Sequence, residues 1–303
     1  MTIESRDISV VVQGPVDWGV NAKFSRPTTL SLTRAIRRLL PDSEIILSSW
    51  AGQKVDGLHF DHLLLSEDPG PQGVWPSFTP NNVNRQIRST VAGLKQVATP
   101  YCLKIRADVI LLNTAFVDAF CSLDPIHGSE AIFEYPIVAN NLTSRNAAAI
   151  LQRLPDNPIL FHPSDHVHFG KTSDLRRLWD VPLQTDEDSF HFMDRIQPNR
   201  WRAHEFSRLA PEQHLFVSAL GGRLGGGLRH YADTSPELVD KNNYYMNTHF
   251  HFLRDDVFMY FEKYNSDHHR SFEWMRLNHG AEAPPVREAS SWIQKAYRFA
   301  KLP

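Results

Sequence analysis

The sequence predicts an α/β fold: a Rossmann-type, mostly parallel sheet flanked by helices. Three observations carry that expectation. Short apolar runs and amphipathic helical stretches follow one another as strand, helix, strand, strand, helix, strand. The helical stretches repeat apolar residues at i, i+3, i+4 and i+7. Where charges enter an apolar run, they fall on alternate positions, the period of a strand.

The elements follow in order. "DISVVVQGP" is a β-branched run that stops at Gln13-Gly14-Pro15, a first strand followed by a sharp loop. "PTTLSLTRAIRRLLPD" places Leu32, Ala35, Ile36, Leu39 and Leu40 on one face, a helix opened near Pro27 and closed before Pro41. "EIILSSW" and "HLLLSEDPG" are the second and third strands. Residues Pro71 to Pro80 read as a loop. "NNVNRQIRSTVAGLKQVA" is a second helix, with Val83, Ile87, Val91, Leu94 and Ala98 along one stripe. "TPYCLKIRADVILLN" is the fourth strand. Later, "AIFEYPIV" and "DHVHFG" are strand candidates, and "TSDLRRLWD" and "PEQHLFVSAL" are helix candidates. After the glycine-rich "GGRLGGG" the composition turns aromatic and histidine-rich. The expected division is therefore a catalytic domain over 1–229 and a C-terminal extension over 230–303 that packs on it.

Composition limits the function classes. Of 303 residues, 42% are hydrophobic, enough for a sizeable core. Lys and Arg total 32 against 34 Asp and Glu, a net charge of −2, which speaks against nucleic acid as the partner. Two cysteines, Cys102 and Cys121, give no disulfide framework and suit a reducing compartment. No signal peptide is visible, and no apolar stretch approaches the length of a membrane span. A cytoplasmic protein is expected.

The fourth strand holds the main anomaly. Leu103, Ile105, Ala107 and Val109 share one face; Cys102, Lys104, Arg106 and Asp108 share the other. A strand with an oily face and a charged row is a solvated edge or the wall of a site. Open α/β sheets bind ligands at the carboxyl ends of their strands, where Gln13, Gly14, Pro15 and Asp108 fall. A carboxylate there could hold a divalent metal against a pyrophosphate. Arg85, Arg88, Lys104 and Arg106 could face phosphates, and Asn84 stands near the start of the helix before the strand, with Asn81 and Asn82. The plainer alternative is an Arg106–Asp108 ion pair on an edge strand.

"ISVVVQGPV", "EIILSSWAGQKVDGLHFDHLLLSEDPG", "NVNRQIRSTVAGLKQVATPYCLKIRADVILLN", "SDHVHFGKTSDLRRLW" and "PEQHL" together resemble the WavE lipopolysaccharide synthesis family. That resemblance implies a glycosyltransferase with a GT-A-like nucleotide-sugar domain. In GT-A enzymes a helix carrying Arg and Asn leads into a strand ending in Asp-x-Asp. The matching place here reads Arg106-Ala107-Asp108, so the first acid is absent. The resemblance implies Asp108 as a ligand of Mn²⁺ or Mg²⁺, with a late histidine, His249 or His251 of "NTHFHF", beside it. Packing histidines are the alternative for that pair.

Two carboxylates are candidates for activating an acceptor hydroxyl. Asp165 follows the Asp108 strand, where a GT-A-like order places the acceptor pocket; a turn or cap role is the alternative. Glu212 stands next to Pro211, which is also ordinary first-turn helix chemistry. Zinc at His166 and His168 lacks further ligands in the sequence. "GGRLGGG" lacks the Lys-Ser/Thr of a phosphate loop and reads better as a hinge. "SSWIQKAYRFAKLP" carries Lys295, Arg298 and Lys301 among aromatics, an interfacial helix or a docked terminal one.

The resemblance thus implies a nucleotide-sugar donor and a lipopolysaccharide-core, other cell-surface saccharide or lipid-linked acceptor. The setting it implies is the inner face of a bacterial inner membrane. A sugar nucleotidyltransferase is the runner-up, although "QGPVDWG" lacks its glycine-rich signature. A non-catalytic saccharide-binding module is the third reading.

Overall fold

A computed structural model describes residues 2–18, 28–74, 77–141, 159–198, 206–254 and 259–260. The β-branched run near the N-terminus forms β1 (Ile8–Gln13), buried at every position. Helix α1 (Thr29–Leu39) opens on Thr28, whose hydroxyl accepts from the Ser31 N–H, and buries Leu32, Ala35 and Ile36. Then come β2 (Glu44–Trp50) and β3 (His62–Ser66). The stretch expected as a loop is an antiparallel hairpin, β4 (Gln72–Val74) and β5 (Ser77–Asn81). Helix α2 (Val83–Gln96) leads into β6 (Tyr101–Arg106).

Next are β7 (Ile110–Leu111), α3 (Ala115–Cys121), β8 (Ile137–Asn140) and β9 (Val167–Lys171). Four helices follow: α4 (Thr172–Trp179), the single-turn α5 (Asp186–Ser189), α6 (Pro211–Leu220) and α7 (Pro236–His249). The last described strands are β10 (Phe250–Leu253) and β11 (Met259–Tyr260). "AIFEYPIV" yields a strand at its end alone, because the Glu134 and Tyr135 N–H groups bond the Asp174 carboxylate instead of a neighbouring strand.

Seven strands make one sheet in the order β10-β8-β9-β6-β1-β2-β3. Four pairings are parallel; β9 runs antiparallel to both of its neighbours. The expected α/β class with a mostly parallel, Rossmann-like sheet is what the topology gives. One apolar layer joins Val10, Val12, Leu103 and Ile105 to α1 and α3. The other joins Val11, Ile46 and Cys102 to α2, α4, α6 and α7. Gly93 is where α2 comes closest to β1: a Cβ there would lie 2.4 Å from Val11 Cγ1.

The stretch beyond Gly227 is more than an extension laid on the surface. It supplies edge strand β10, parallel to β8, and Tyr245, Met246, Phe250 and Phe252 enter the α2-side layer. A division at 229/230 therefore runs through a single core. No helix among the described residues is long and apolar enough to cross a membrane. Lys295, Arg298 and Lys301, with the membrane contact expected of them, lie outside the described residues.

Strand order fixes where a ligand cleft belongs. The chain runs outward from β1 through β2 to β3, then returns to place β6 on β1's other flank. The two crossovers leave in opposite directions, and the crevice between them opens at the carboxyl ends of β1 and β6.

Candidate functional site

Register sets the residues of that end side by side. Gln13 pairs with Arg106 across β1 and β6, and with Ser48 across β1 and β2. Lys104 pairs with His168 across β6 and β9. Cys102, Lys104 and Arg106 thus lie on the α2 side of the sheet, while the strand expected to run on to Asn113 breaks after Arg106, so that Asp108 stands in the turn before β7 and not on the strand face. Solvated edge is the wrong description for Lys104, which is 0% exposed.

Gly14 turns the chain at the end of β1. Its φ of +115° is left-handed backbone that favours glycine. Gln13 lends its carbonyl to the Ala107 N–H at 2.8 Å, while its side-chain Oε1 is buried with no hydrogen-bond partner among the described residues. Pro15 beside them is exposed.

The Lys104 ammonium donates to the Asp165 carbonyl and stands 4.4 Å from the centre of the Trp179 ring. Burial pushes its pKa down to about 7, against the pull of Asp165. His168 accepts the Trp179 indole N–H on Nδ1 at 3.1 Å, so its own proton sits on Nε2 and goes to the Ser164 carbonyl at 2.7 Å. Burial and Lys104 hold that imidazole neutral, with a pKa down to about 3. Burial and Arg106 push His166 down to about 4. Burial alone would raise Asp165, but His166, Arg106 and Lys104 hold its carboxyl well below the usual carboxylate range.

Arg106 and Asp108 form the ion pair that was the plainer alternative: Nε to Oδ1 at 3.0 Å and Nη2 to Oδ2 at 2.9 Å. The pair is not remote, however. It stands at the carboxyl end of β6, with side chains 23% and 34% exposed, and the Arg106 N–H bonds the His166 carbonyl. Burial would raise Asp108, yet the guanidinium holds it below its ordinary value.

Glu212 is the second residue of α6, following Pro211. Its Oε2 lies 3.2 Å from Nε2 of His162, a buried residue. Burial would raise the carboxyl, and Asp165 would too, but the His162 ring beside it brings it below its ordinary value. His162 follows Phe161, whose φ of +51° is unusual for a non-glycine residue.

The remaining expected residues do not converge here. Asn84 gives both amide hydrogens to the protein, to Gln72 Oε1 at 3.0 Å and the Gln184 carbonyl at 2.9 Å. Its oxygen accepts the Gln184 N–H at 2.8 Å. It ties α2 to the hairpin and to the loop before α5. Arg85 is held by both oxygens of Asp68 and stands 5.8 Å from the centre of the Trp50 ring. Arg88 is exposed on α2.

The two late histidines are a correction. His249 is not in an extended segment: it ends α7, fully buried, its Nε2 accepting the Ile132 N–H at 3.1 Å. Burial takes its pKa down to about 4. His251 lies in β10, three strands from β6 or about 14 Å at ordinary strand spacing. It pairs with Val138, while Phe252 and Ala139 share the Lys104 face, so His251 stands on the opposite face of the sheet. Alternation cannot bring both histidines to one face once a helix end falls between them. Among the described residues, no three His, Cys, Asp or Glu side chains assemble as a metal ligand set.

His162 is the residue that sequence reasoning missed. "FHPSDHVHFG" was legible as polar, but nothing in it shows that Glu212 approaches from fifty positions downstream.

Residues 8–257 match the family model described as WavE lipopolysaccharide synthesis. The chain belongs to that family. Every residue of the cluster lies inside the matched span, and family membership supports a transferase role in lipopolysaccharide synthesis. No curated protein matches the chain. Similar solved structures include a cytidylyltransferase from Leptospira borgpetersenii serovar Hardjo-bovis, at 9% identity and TM-score 0.32, covering 65% of this chain and 74% of that one. TarS of S. aureus is similar at 13% identity and TM-score 0.32, over 70% of this chain and 33% of that one. HddC from Yersinia pseudotuberculosis follows at 13% identity and TM-score 0.28, over 63% and 86%. Likeness at these scores adds nothing to the family assignment.

Proposed function

We propose that the protein is a glycosyltransferase of GT-A-like layout. It moves a sugar from a nucleotide-sugar donor to a lipopolysaccharide-core or other cell-surface saccharide, or to a lipid-linked one, at the inner face of the bacterial inner membrane. One observation carries the reading: buried charges collect at the carboxyl ends of β1 and β6, the switch point of the sheet. Desolvating Lys104, Asp165 and two imidazoles costs stability. Such a cluster at a ligand crevice is best explained by chemistry done there.

The leaving group of the transfer is a nucleoside diphosphate, whose developing charge needs positive partners. Arg106 is the best placed of these, because Asp108 fixes its plane at the crevice mouth. Lys104 lies behind it as a buried cation. Gln13 and Gly14 form the floor at the end of β1. Arg85, Arg88 and Asn84 hold no donor in this reading; two are bound to protein partners and one projects from α2.

A divalent cation does not fit the donor set as arranged. Both Asp108 oxygens already bond a guanidinium, and the two late histidines lie elsewhere. Arg106 and Lys104 therefore supply the positive charge in this reading. Of the two carboxylates, Asp165 balances those cations, and the acceptor hydroxyl is activated at the Glu212 end of the cluster.

The test is release of nucleoside diphosphate from UDP-, GDP- and ADP-sugars, with deacylated lipopolysaccharide core as acceptor. Turnover that survives EDTA and is lost in Arg106→Ala supports the reading. No consumption of any nucleotide sugar refutes it; turnover abolished by EDTA and restored by Mn²⁺ refutes its metal-free form.

A further inference from the structure

We propose that His162 is the general base of the transfer, and that Glu212 is the residue that positions it. The proposal rests on the transferase reading above and names the group that takes the proton.

Geometry defines the tautomer. A carboxylate accepts and does not donate, so the 3.2 Å approach of Glu212 Oε2 places the imidazole hydrogen on Nε2. The lone pair is left on Nδ1. That atom is buried and has no hydrogen-bond partner among the described residues. Leaving a buried acceptor bare costs roughly 1–3 kcal/mol; of the eight buried side-chain atoms without a partner among the described residues, this one belongs to a ring that a carboxylate holds from its other side. A hydroxyl of the acceptor sugar is the donor that would complete it.

The backbone that presents this ring is strained and held on both sides. Phe161 sits at φ +51°. Its N–H donates to Asn242 Oδ1 of α7 at 2.6 Å. The carbonyl of Leu160 accepts Gln213 Nε2 at 2.8 Å. Gln213 neighbours Glu212 on α6, so one helix turn both anchors the loop and orients the imidazole. Both amides are buried, Gln213 at 0% and Asn242 at 1% exposure. Strain over-determined by surrounding hydrogen bonds collects where a side chain must be aimed.

The rival bases are weaker. Asp165 is pressed by His166, Arg106 and Lys104, and its carboxyl is held far down. Glu212 is also held below its ordinary value. Both carboxylates are thus stabilised as anions and made poorer proton acceptors, whereas His162 Nδ1 has no competing hydrogen-bond donor among the described residues.

The step balances. The acceptor O–H gives its proton to Nδ1 as the oxygen bonds to the anomeric carbon. The bond from that carbon to the phosphate oxygen breaks, and its electron pair leaves on the nucleoside diphosphate toward Arg106. Glu212 stabilises the imidazolium, which returns its proton to water once the product departs. Attack opposite the leaving group inverts the anomeric centre.

The experiment has two arms. The first measures nucleoside diphosphate release as above for wild type, His162→Gln and Glu212→Gln, with melting temperature as the folding control. His162→Gln is expected to lose kcat by about 100-fold or more, with the donor KM within about threefold. Glu212→Gln is expected to lose less, about tenfold in kcat, again with the donor KM within about threefold, as for a residue that positions the base. The second arm needs no substrate. Long-range ¹⁵N–¹H spectra of ¹⁵N-histidine protein, with His162 identified by its loss in His162→Gln, should show Nε2–H with bare Nδ1. A folded His162→Gln enzyme within threefold of wild type, or an Nδ1–H tautomer at His162, overturns the proposal. A wild type that consumes no nucleotide sugar overturns the transferase reading, and this proposal falls with it.

Discussion

Replace His168 by Gln and follow stability between pH 7 and pH 5. His166 and His168 are 2% and 1% exposed, and their folded pKa values are pushed to about 4 and about 3. In the unfolded chain an imidazole titrates near 6.5. Between pH 6.5 and the folded values, the unfolded chain binds more protons than the native state. Stability therefore falls as the pH falls, and the window runs from about 6.5 down to about 3–4. At pH 5 each imidazole lies about 1.5 units below its unfolded pKa, and a unit is 1.36 kcal/mol, so each takes away about 2 kcal/mol. Against a total of roughly 5–15 kcal/mol, that is a large loss. The chain has 15 histidines, so the wild-type drop alone assigns nothing. The difference between proteins does. Guanidinium denaturation at both pH values should show a drop smaller by about 2 kcal/mol in His168→Gln. The variant is also less stable at pH 7, because the buried Trp179 N–H loses its acceptor. Equal drops in the two proteins would refute the claim that His168 is folded as a neutral ring beneath Lys104.

Three further outcomes are expected. Gly93→Ala should destabilise by about 1–3 kcal/mol in urea denaturation, since its Cβ would meet Val11 Cγ1 at 2.4 Å; an unchanged midpoint would show that α2 does not ride on β1 there. Asn84→Ala should cost about 1–3 kcal/mol, because the Gln184 N–H loses its acceptor, while nucleotide affinity stays within twofold. Arg85→Ala should cost no more than about 1 kcal/mol, the range of exposed pairs, and should likewise spare nucleotide binding; a tenfold loss of affinity would return Arg85 to the donor site.

Local pattern made most of the scaffold readable. β1 stops at Gly14-Pro15, α1 opens on Thr28 and closes before Pro41, and β2 and α2 carry clear apolar patterns, so each was legible without its neighbours. The hairpin over Gln72–Asn81 was not, because a proline-rich stretch reads as loop, and its pairing of Gln72 with Asn81 and Val74 with Ser77 has no signature in so short a run. Alternation placed Lys104 and Arg106 on one face correctly. It could not show that Lys104 is buried, since the Asp165 carbonyl and the Trp179 ring arrive from other elements. The same limit misplaced His249 and His251. Period two holds along a strand, but α7 ends at His249 and β10 begins one residue later. His162 had no signal of its own, because its meaning comes from Glu212 on α6.

The central claim is that the crevice at the ends of β1 and β6 receives the diphosphate of an activated sugar. Isothermal titration of UDP, GDP, ADP and CDP into wild type and Arg106→Ala, without added metal, tests it most directly. At least one nucleotide should bind wild type, and Arg106→Ala should weaken it by about 10- to 100-fold, the loss of one or two charge-assisted hydrogen bonds. Binding that ignores Arg106, or no binding by any of the four, would contradict the account.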